Sequence, residues 1–535
     1  MSSAKSKKSK RSKKKKSSNK ISEVERADLA DDSRQEIIFK YVLNGLLLIY
    51  LLYYLFQLYA SLDNTFFWAD ENKHAYICSL VYKTHQIPMI LPDDLYGGYR
   101  WSYPPLFHIL GAAFMGIAGP AFLKFFSLSL LLIFLPSFYF LIRKHYGNNE
   151  AVIACFLITL SPVLAINAIR FTTEMLSMLC IFFSSFFFVI AVKKANKFYA
   201  VISGLSTGML MLSKQVGFVI FGFYGLLFLW FFWKNKENFK ISLWVLGVSV
   251  ATYSPYFVWA IYNRVEVLGF VSVFLGIADK PEWSGTALKV FRRYDSGIIE
   301  VASLFYKGNG FFLTILLLLP IYYFIKIRFK DEPQNYAFFL FIYLVIVMMA
   351  WHITNDRHTI ILLPLIAFLF SYTVNKITAN KLIIRALIIS LLLIGGYLAY
   401  HMPNYRQKYN APEEFVELTK FINEDTASDA RILCLSKFDV IMYTQNPVIW
   451  PHAKLGKVPI ELLEKQSADK LFALLKQYKI KLIIIETPRI VNVKRFHGGR
   501  YPLYFVRTCE QLERQGKIVF EKITKFKRYI LLSVI

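Results

Sequence analysis

Two adjacent acids, Asp70 and Glu71, stand in "FFWADENKHAY" where a long apolar run ends. Other ionisable residues occupy the same kind of boundary elsewhere. Arg170 and Glu174 lie in "NAIRFTTEML", Lys214 in "LMLSKQVGF", and Asp356, Arg357 and His358 in "WHITNDRHTIILLP". Solvated loop charge would account for any one of them. As a set they admit a sharper chemistry, because the acids are wedged between Trp68 and His74-Ala75-Tyr76. A carboxylate at an apolar boundary can have a raised pKa and take a proton from a hydroxyl. Cations facing it can neutralise a phosphate leaving group. The set therefore suits transfer of a group carried on a lipid phosphate, with the phosphate among Lys214, Arg357 and Arg170. Displacing a phosphate-linked sugar in one step would invert the anomeric centre and needs no nucleotide.

The elements that position these residues are membrane spans. The chain has 535 residues, 56% of them hydrophobic, with 49 Phe and a mean hydropathy of +0.41. That is too apolar for a soluble domain, so the fold class expected is a polytopic α-helical membrane protein. Apolar runs lie near residues 37–60, 103–119, 121–142, 150–169, 173–192, 198–213, 215–233, 241–261, 309–326, 336–353, 358–375 and 383–400. If every run spans, the links with Arg143-Lys144, Lys193-Lys194-Lys197 and Lys234-Lys236-Lys240 fall on the side opposite the basic N-terminus. That violates the positive-inside bias. Removing 103–119 repairs all three. This run opens with Pro104-Pro105, contains His108 and is barely long enough to cross, so it is read as an interfacial helix in a long first outer loop, 60–120. About 11 spans remain, every short basic link is cytoplasmic, and the boundary acids and bases all lie outside.

Three domains follow: a disordered basic cytoplasmic tail, 1–35; a transmembrane domain, 36–402; and a small extracytoplasmic α/β domain, 403–535. The net charge of +27 owes much to "MSSAKSKKSKRSKKKKSSNK". This segment is read as an orienting tail that touches anionic lipid, with nucleic acid excluded as a partner because no nucleic-acid fold accompanies it. In the C-terminal part, "APEEFVELTKFINE" and about 460–478 have helical spacing, while "ARILCL", "IKLIIIET", "KIVFEKI" and "RYILLSVI" read as strands. The five cysteines form no CxxC pair, and pairing of Cys434 with Cys509 is left open.

With those motifs in view, the sequence resembles the GT-C superfamily of membrane glycosyltransferases, in particular protein O-mannosyltransferases and lipid A aminoarabinose transferases. "ADENKHAY" is similar to their Asp-Glu first-loop signature, and "YPPLFHILGA" to their Pro-Pro-Leu juxtamembrane helix. "IRFTTEMLSML" resembles an Arg-x-x-x-Asp-x-x-Leu junction, "LSKQVGF" a Lys-bearing turn, and "DRHTIILLPLIAFL" an Arg-containing span entry. The resemblance implies Asp70 as catalytic base, Glu71 as its neighbour or acceptor ligand, Lys214 and Arg357 as donor-phosphate contacts, and Arg170 and Glu174 as shaping the site. Two departures stand out: Glu174 replaces the family's Asp, and Ser102-Tyr103 precede Pro-Pro where an acid or Lys is common.

His74 and His358 could join the acids in a metal site, but the spacing is not diagnostic and no cofactor or metal is firmly implied. Tyr96, Tyr99, Trp101 and Tyr103 suit either a sugar-stacking stripe or an aromatic interface belt. The expected function is inverting transfer of a hexosyl or pentosyl group from a polyprenyl-phosphate donor, such as dolichyl phosphate mannose, to an extracytoplasmic hydroxyl on a protein, lipid or glycan. The expected location is a prokaryotic plasma membrane, with the endoplasmic reticulum as alternative. A transporter or flippase of lipid-linked sugars is the rival, disfavoured because the span centres are nearly free of charge.

Overall fold

In the computed structural model the described residues are 23–62, 69–88, 104–119, 122–263, parts of 302–326, 334–350, 356–378, 381–401, 413–425, and most of 430–435, 448–449, 462, 466–486, 490–491, 501–520 and 529–535. The chain divides into two units, Met1–Leu52 and Tyr53–Ile535. Helix α1, Glu23–Ala60, carries the first apolar stretch from Ile37 onward. The acids open a separate helix, α2, Ala69–Thr84, and the Pro-Pro motif opens α3, Leu106–Ala118. At 13 residues α3 is about 20 Å long, too short to cross a bilayer. It buries one stripe, Phe107, His108, Gly111, Ala112 and Met115, and exposes Ile109 and Ile117.

The helices that follow are α4, Phe125–His145; α5, Asn148–Thr159; α6, Pro162–Ile169; α7, Glu174–Lys194; α8, Lys197–Ser213; α9, Val216–Lys234; and α10, Lys236–Tyr262. Further on come α11, Leu318–Lys326; α12, Gln334–Ala350; a short 3-10 helix, Asp356–Leu362; α13, Leu363–Ile377; and α14, Lys381–Tyr400. Among the described residues, seven helices are long and apolar enough to span, or eight when α5 and α6 count as one bent pair. The run 150–169 is therefore not the straight helix its hydropathy suggests. It bends by 69° at Leu160-Ser161. Ser161 caps α6 by accepting from the Leu164 N–H, and Pro162 occupies its first turn, where a missing donor costs nothing. The runs 198–213 and 336–353 form helices of 17 residues each, at the lower limit of a span, and 309–326 is described only in part.

Inside a bilayer, helices associate by close packing and buried polar contacts rather than by apolar burial alone. Helix α8 supplies both. Its "GLSTG" brings Gly204 and Gly208 so close to α10 that a Cβ would lie 2.7 Å from the Val245 carbonyl and 2.5 Å from Thr252 Cβ. On its other side, Thr207 Oγ1 and Tyr224 OH each lie 2.8 Å from Ser184 Oγ, and Ser203 donates to the Ser184 carbonyl. Helices α7 to α10 are thus locked together at the middle of α7, between its two ends.

The basic links gather at one of those ends. Lys193 lies over the Tyr146 ring and Lys194 over Tyr199, while Tyr146 packs against Phe368 and Tyr372, whose ring holds Lys376. Each cation sits near a helix C-terminus, where the helix dipole favours it.

The C-terminal part forms α15, Glu413–Asp425; α16, Ala468–Gln477; α17, Leu503–Arg514; and a five-stranded sheet. Naming the strands β1, Arg431–Leu435; β2, Val448–Ile449; β3, Ile480–Glu486; β4, Ile490–Val491; β5, Tyr501–Pro502; β6, Ile518–Phe520; and β7, Tyr529–Val534, the order is β2-β1-β3-β7-β6. β1 is parallel to β2 and β3, and β7 is antiparallel to β3 and β6. Leu475, Ile483, Ile485, Phe505, Leu512 and Leu532 form its buried core with Cys509. Cys434 and Cys509 are both buried and form no disulfide with each other.

Candidate functional site

The site is built around the link Arg170–Thr173, between α6 and α7. Four cation-bearing or polar groups meet Glu174, the first residue of α7, whose side chain is only 2% exposed. Lys214 Nζ donates to Glu174 Oε1 at 2.9 Å. Arg357 Nε lies 3.2 Å from the same oxygen and His358 Nδ1 3.3 Å. Thr173 Oγ1 donates to the other oxygen, Oε2, at 3.4 Å. Lys214 Nζ is also 3.3 Å from His358 Nδ1. An ammonium only donates, so Nδ1 either accepts from Lys214 or carries a proton aimed at Glu174.

Local sequence explains how these groups reach one point. Lys214 ends α8 in an extended conformation, and the chain turns at once into α9, with the Gly217 N–H donating to the Lys214 carbonyl. A Cβ on Gly217 would lie 2.3 Å from the Met211 backbone N, so only glycine fits this turn. Arg357 and His358 are held by the 3-10 helix. Behind it, Asn309 Nδ2 donates to Thr359 Oγ1 at 3.0 Å, and Ser161 Oγ donates to Asn309 Oδ1 at 2.5 Å. The bend between α5 and α6 therefore braces the segment that carries Arg357.

The same link reaches the first-loop acids. Glu71 is 1% exposed, and its Oε1 accepts the Phe171 backbone N–H at 3.1 Å. One turn on, His74 Nδ1 lies 2.9 Å from His108 Nε2, joining α2 to α3. Gly111 permits that approach, since a Cβ there would lie 2.6 Å from Cys78 Sγ. His108 is buried rather than turned to lipid headgroups. Burial, followed by the nearby His74 and Lys73, holds its imidazole well below the usual histidine range.

The structure thus brings Glu174, Lys214, Arg357 and His358 into contact, ties Glu71 to the residue after Arg170, and leaves His74 on the neighbouring α2–α3 seam. Arg170 itself is half-buried where α6 ends. Asp70 opens α2, but its side chain, that of Asp356, and the whole of Tyr96, Tyr99, Trp101, Ser102 and Tyr103 lie outside the described residues. Among the described residues no group of three or more His, Cys, Asp or Glu could hold a metal ion. Sequence reasoning missed Asn309, Thr359 and Thr173, which are ordinary polar residues until the fold brings them together. Ser161-Pro162 was readable as a helix start.

Residues 102–259 match the family model for dolichyl-phosphate-mannose-protein mannosyltransferases. The match contains Arg170, Glu174 and Lys214 but neither the first-loop acids nor Arg357. No curated protein sequence matches the chain. Among solved structures, the chain is similar to ArnT from Cupriavidus metallidurans in the apo state, with a TM-score of 0.65 at 13% identity, covering 92% of this chain and 98% of ArnT. ArnT from the same organism bound to undecaprenyl phosphate matches with a TM-score of 0.61 at 12% identity, covering 91% and 98%. The archaeal oligosaccharyltransferase AglB from Archaeoglobus fulgidus, in complex with an inhibitory peptide and a dolichol-phosphate, gives 0.57 at 14% identity, covering 84% of this chain and 69% of AglB. The resemblance to the GT-C superfamily is thereby borne out: the chain shares the fold of these GT-C glycosyltransferases.

Proposed function

We propose that the protein is an inverting glycosyltransferase that moves a sugar from a polyprenyl-phosphate donor to an acceptor hydroxyl. The observation that carries this reading is the convergence of Lys214 and Arg357 at one buried point, in a fold shared with ArnT, which has been solved with undecaprenyl phosphate. In this reading Lys214, Arg357 and Arg170 hold the donor phosphate, and Asp70 removes the proton from the acceptor hydroxyl as it attacks the anomeric carbon. Glu71 fixes α2 to the Arg170–Thr173 link, so that the base is positioned against the phosphate site. A protein acceptor is favoured by the match to protein mannosyltransferases and by the peptide bound to AglB. The chemistry in this reading needs a bound phosphate and a positioned base.

The proposed topology has 11 spans between 36 and 402, with α3 at the interface, a basic cytoplasmic tail at 1–35, and an α/β domain at 403–535. The site lies at the end of α7 opposite Lys193 and Lys194. By the positive-inside bias it is then extracytoplasmic, in a prokaryotic plasma membrane or, as the alternative, in the endoplasmic reticulum.

The test is sugar transfer by the purified protein in lipid nanodiscs with a panel of short-chain polyprenyl-phosphate sugars. Turnover with one donor, inversion at the anomeric carbon and loss of turnover in folded Asp70→Asn are expected. One observation suits a lipid-linked sugar transporter instead: the broken α5–α6 span, since transporters build sites on broken helices. Flipping of a donor across proteoliposomes without release of polyprenyl phosphate would favour that reading.

A further inference from the structure

We infer that Glu174 lowers the charge of the phosphate site so that the spent carrier is held less tightly than the cations alone would hold it. The inference rests on the donor reading above and deepens it. Glu174 is a buried anion placed directly among the cations that would take the phosphate. It is also held from both sides: Lys214, Arg357 and His358 face Oε1, and Thr173 faces Oε2. Its charge stays in place whichever ligand arrives, and burial removes the water that would screen it. Lys214, Arg357 and Arg170 carry three positive charges, and Glu174 brings the sum to two.

The two lipids that visit the site differ in charge. The donor is a phosphodiester with one negative charge. During transfer the acceptor oxygen bonds to the anomeric carbon, and the bond from that carbon to the phosphate oxygen breaks. The bonding electron pair leaves with the phosphate, and the acceptor proton goes to the carboxylate base. The carrier is now a phosphomonoester, with a charge of about −1.5 to −2 at neutral pH. The interaction of Glu174 with a ligand scales with ligand charge, so it disfavours the product by up to about twice the free energy that it disfavours the donor. Glu174 thus trims the preference of the cations for the doubly charged product. A residue that only held Lys214 and Arg357 in place would not discriminate in this way, because its loss would weaken both ligands alike.

Equilibrium binding of short-chain polyprenyl phosphate and of its methyl ester separates these cases. The ester has the donor's single charge and carries no sugar. The full-length protein in nanodiscs would be compared with Glu174→Gln and Glu174→Asp. If Glu174→Gln tightens the methyl ester about tenfold, the monoester should tighten by up to about a hundredfold, since the factors scale with charge. Glu174→Asp should keep the wild-type ratio of the two affinities. Equal factors for the two lipids, or weakening of both, would overturn the inference while leaving the donor reading intact. Should Glu174→Gln not fold, Lys214→Gln tests the same rule. It must weaken the monoester by close to the square of its effect on the ester, and equal weakening overturns the inference. Failure of the wild type to bind either lipid would overturn the donor reading and this inference with it.

Discussion

The two ends of α7 use the same residue types to different effect. At its start, Lys214 and Arg357 come from distant segments and lock onto one carboxylate that is nearly without solvent. At its end, Lys193 and Lys194 lie over tyrosine rings, each with its own partner, exposed at the rim of the bundle. The first arrangement takes charge out of water and must recover that cost by pairing, so it is sensitive to any change. The second keeps its charges wet and contributes mainly to orientation and helix-end electrostatics. A cluster of cations in a membrane protein is thus informative about chemistry when the cations converge and are buried, and about topology when they do not.

The largest effect that would sharpen this contrast is expected from Arg357→Ala. Losing a charge-assisted contact of about 1.5–3 kcal/mol should raise the donor KM by roughly tenfold to a hundredfold. Steady-state kinetics with a saturating acceptor would measure it, and an unchanged KM would place the donor phosphate elsewhere. Gly217→Ala should come next. Its Cβ would meet the backbone of Met211, so the turn that carries Lys214 must shift at a cost of about 1–3 kcal/mol. A lower melting temperature with a several-fold higher donor KM is expected, whereas Gly225→Ala, where a Cβ meets nothing within 4 Å, should change neither.

The smallest effect concerns His108. Its folded-state pKa lies below the ordinary histidine value of about 6.5, so the unfolded chain binds the extra proton first as pH falls. The stability that neutral His108 provides is present above that value. It is lost as pH drops from about 6.5 toward the folded pKa, at up to about 1.4 kcal/mol per pH unit. Thermal melting between pH 7.5 and about 5 should therefore be steeper for the wild type than for His108→Asn. Parallel curves would mean that the pair with His74 accepts the proton without cost.

Much of this organisation was legible in the sequence, for reasons that differ by residue. Glu174, Lys214, Arg357 and His358 stood out because charge is expensive beside apolar runs, and the structure places these four in contact. Their arrangement was not legible. Nothing in "IRFTTEML" says that Glu174 faces the cations rather than standing among the other acids, because that depends on how α7, α8 and the 3-10 helix pack. The bend between α5 and α6 was hidden by continuous hydropathy, although Ser161-Pro162 carried a helix-start signal. The short run 103–119 suits either a helix-packing or a headgroup role for His108, and the structure has it packed against His74 of α2. The strands of the C-terminal sheet were readable from apolar, β-branched runs: β3 lies between β1 and β7 with Leu482, Ile483, Ile484 and Ile485 all buried, so it reads as an unbroken apolar segment.

In the proposed mechanism the converging end of α7, and not the dispersed end, receives the lipid phosphate. Binding of short-chain polyprenyl phosphate in nanodiscs tests it directly, comparing the double variant Lys214→Ala/Arg357→Ala with Lys193→Gln/Lys194→Gln. Affinity should fall by more than about a hundredfold in the first and by less than about twofold in the second. Equal losses in the two variants, or loss confined to the second, would contradict it.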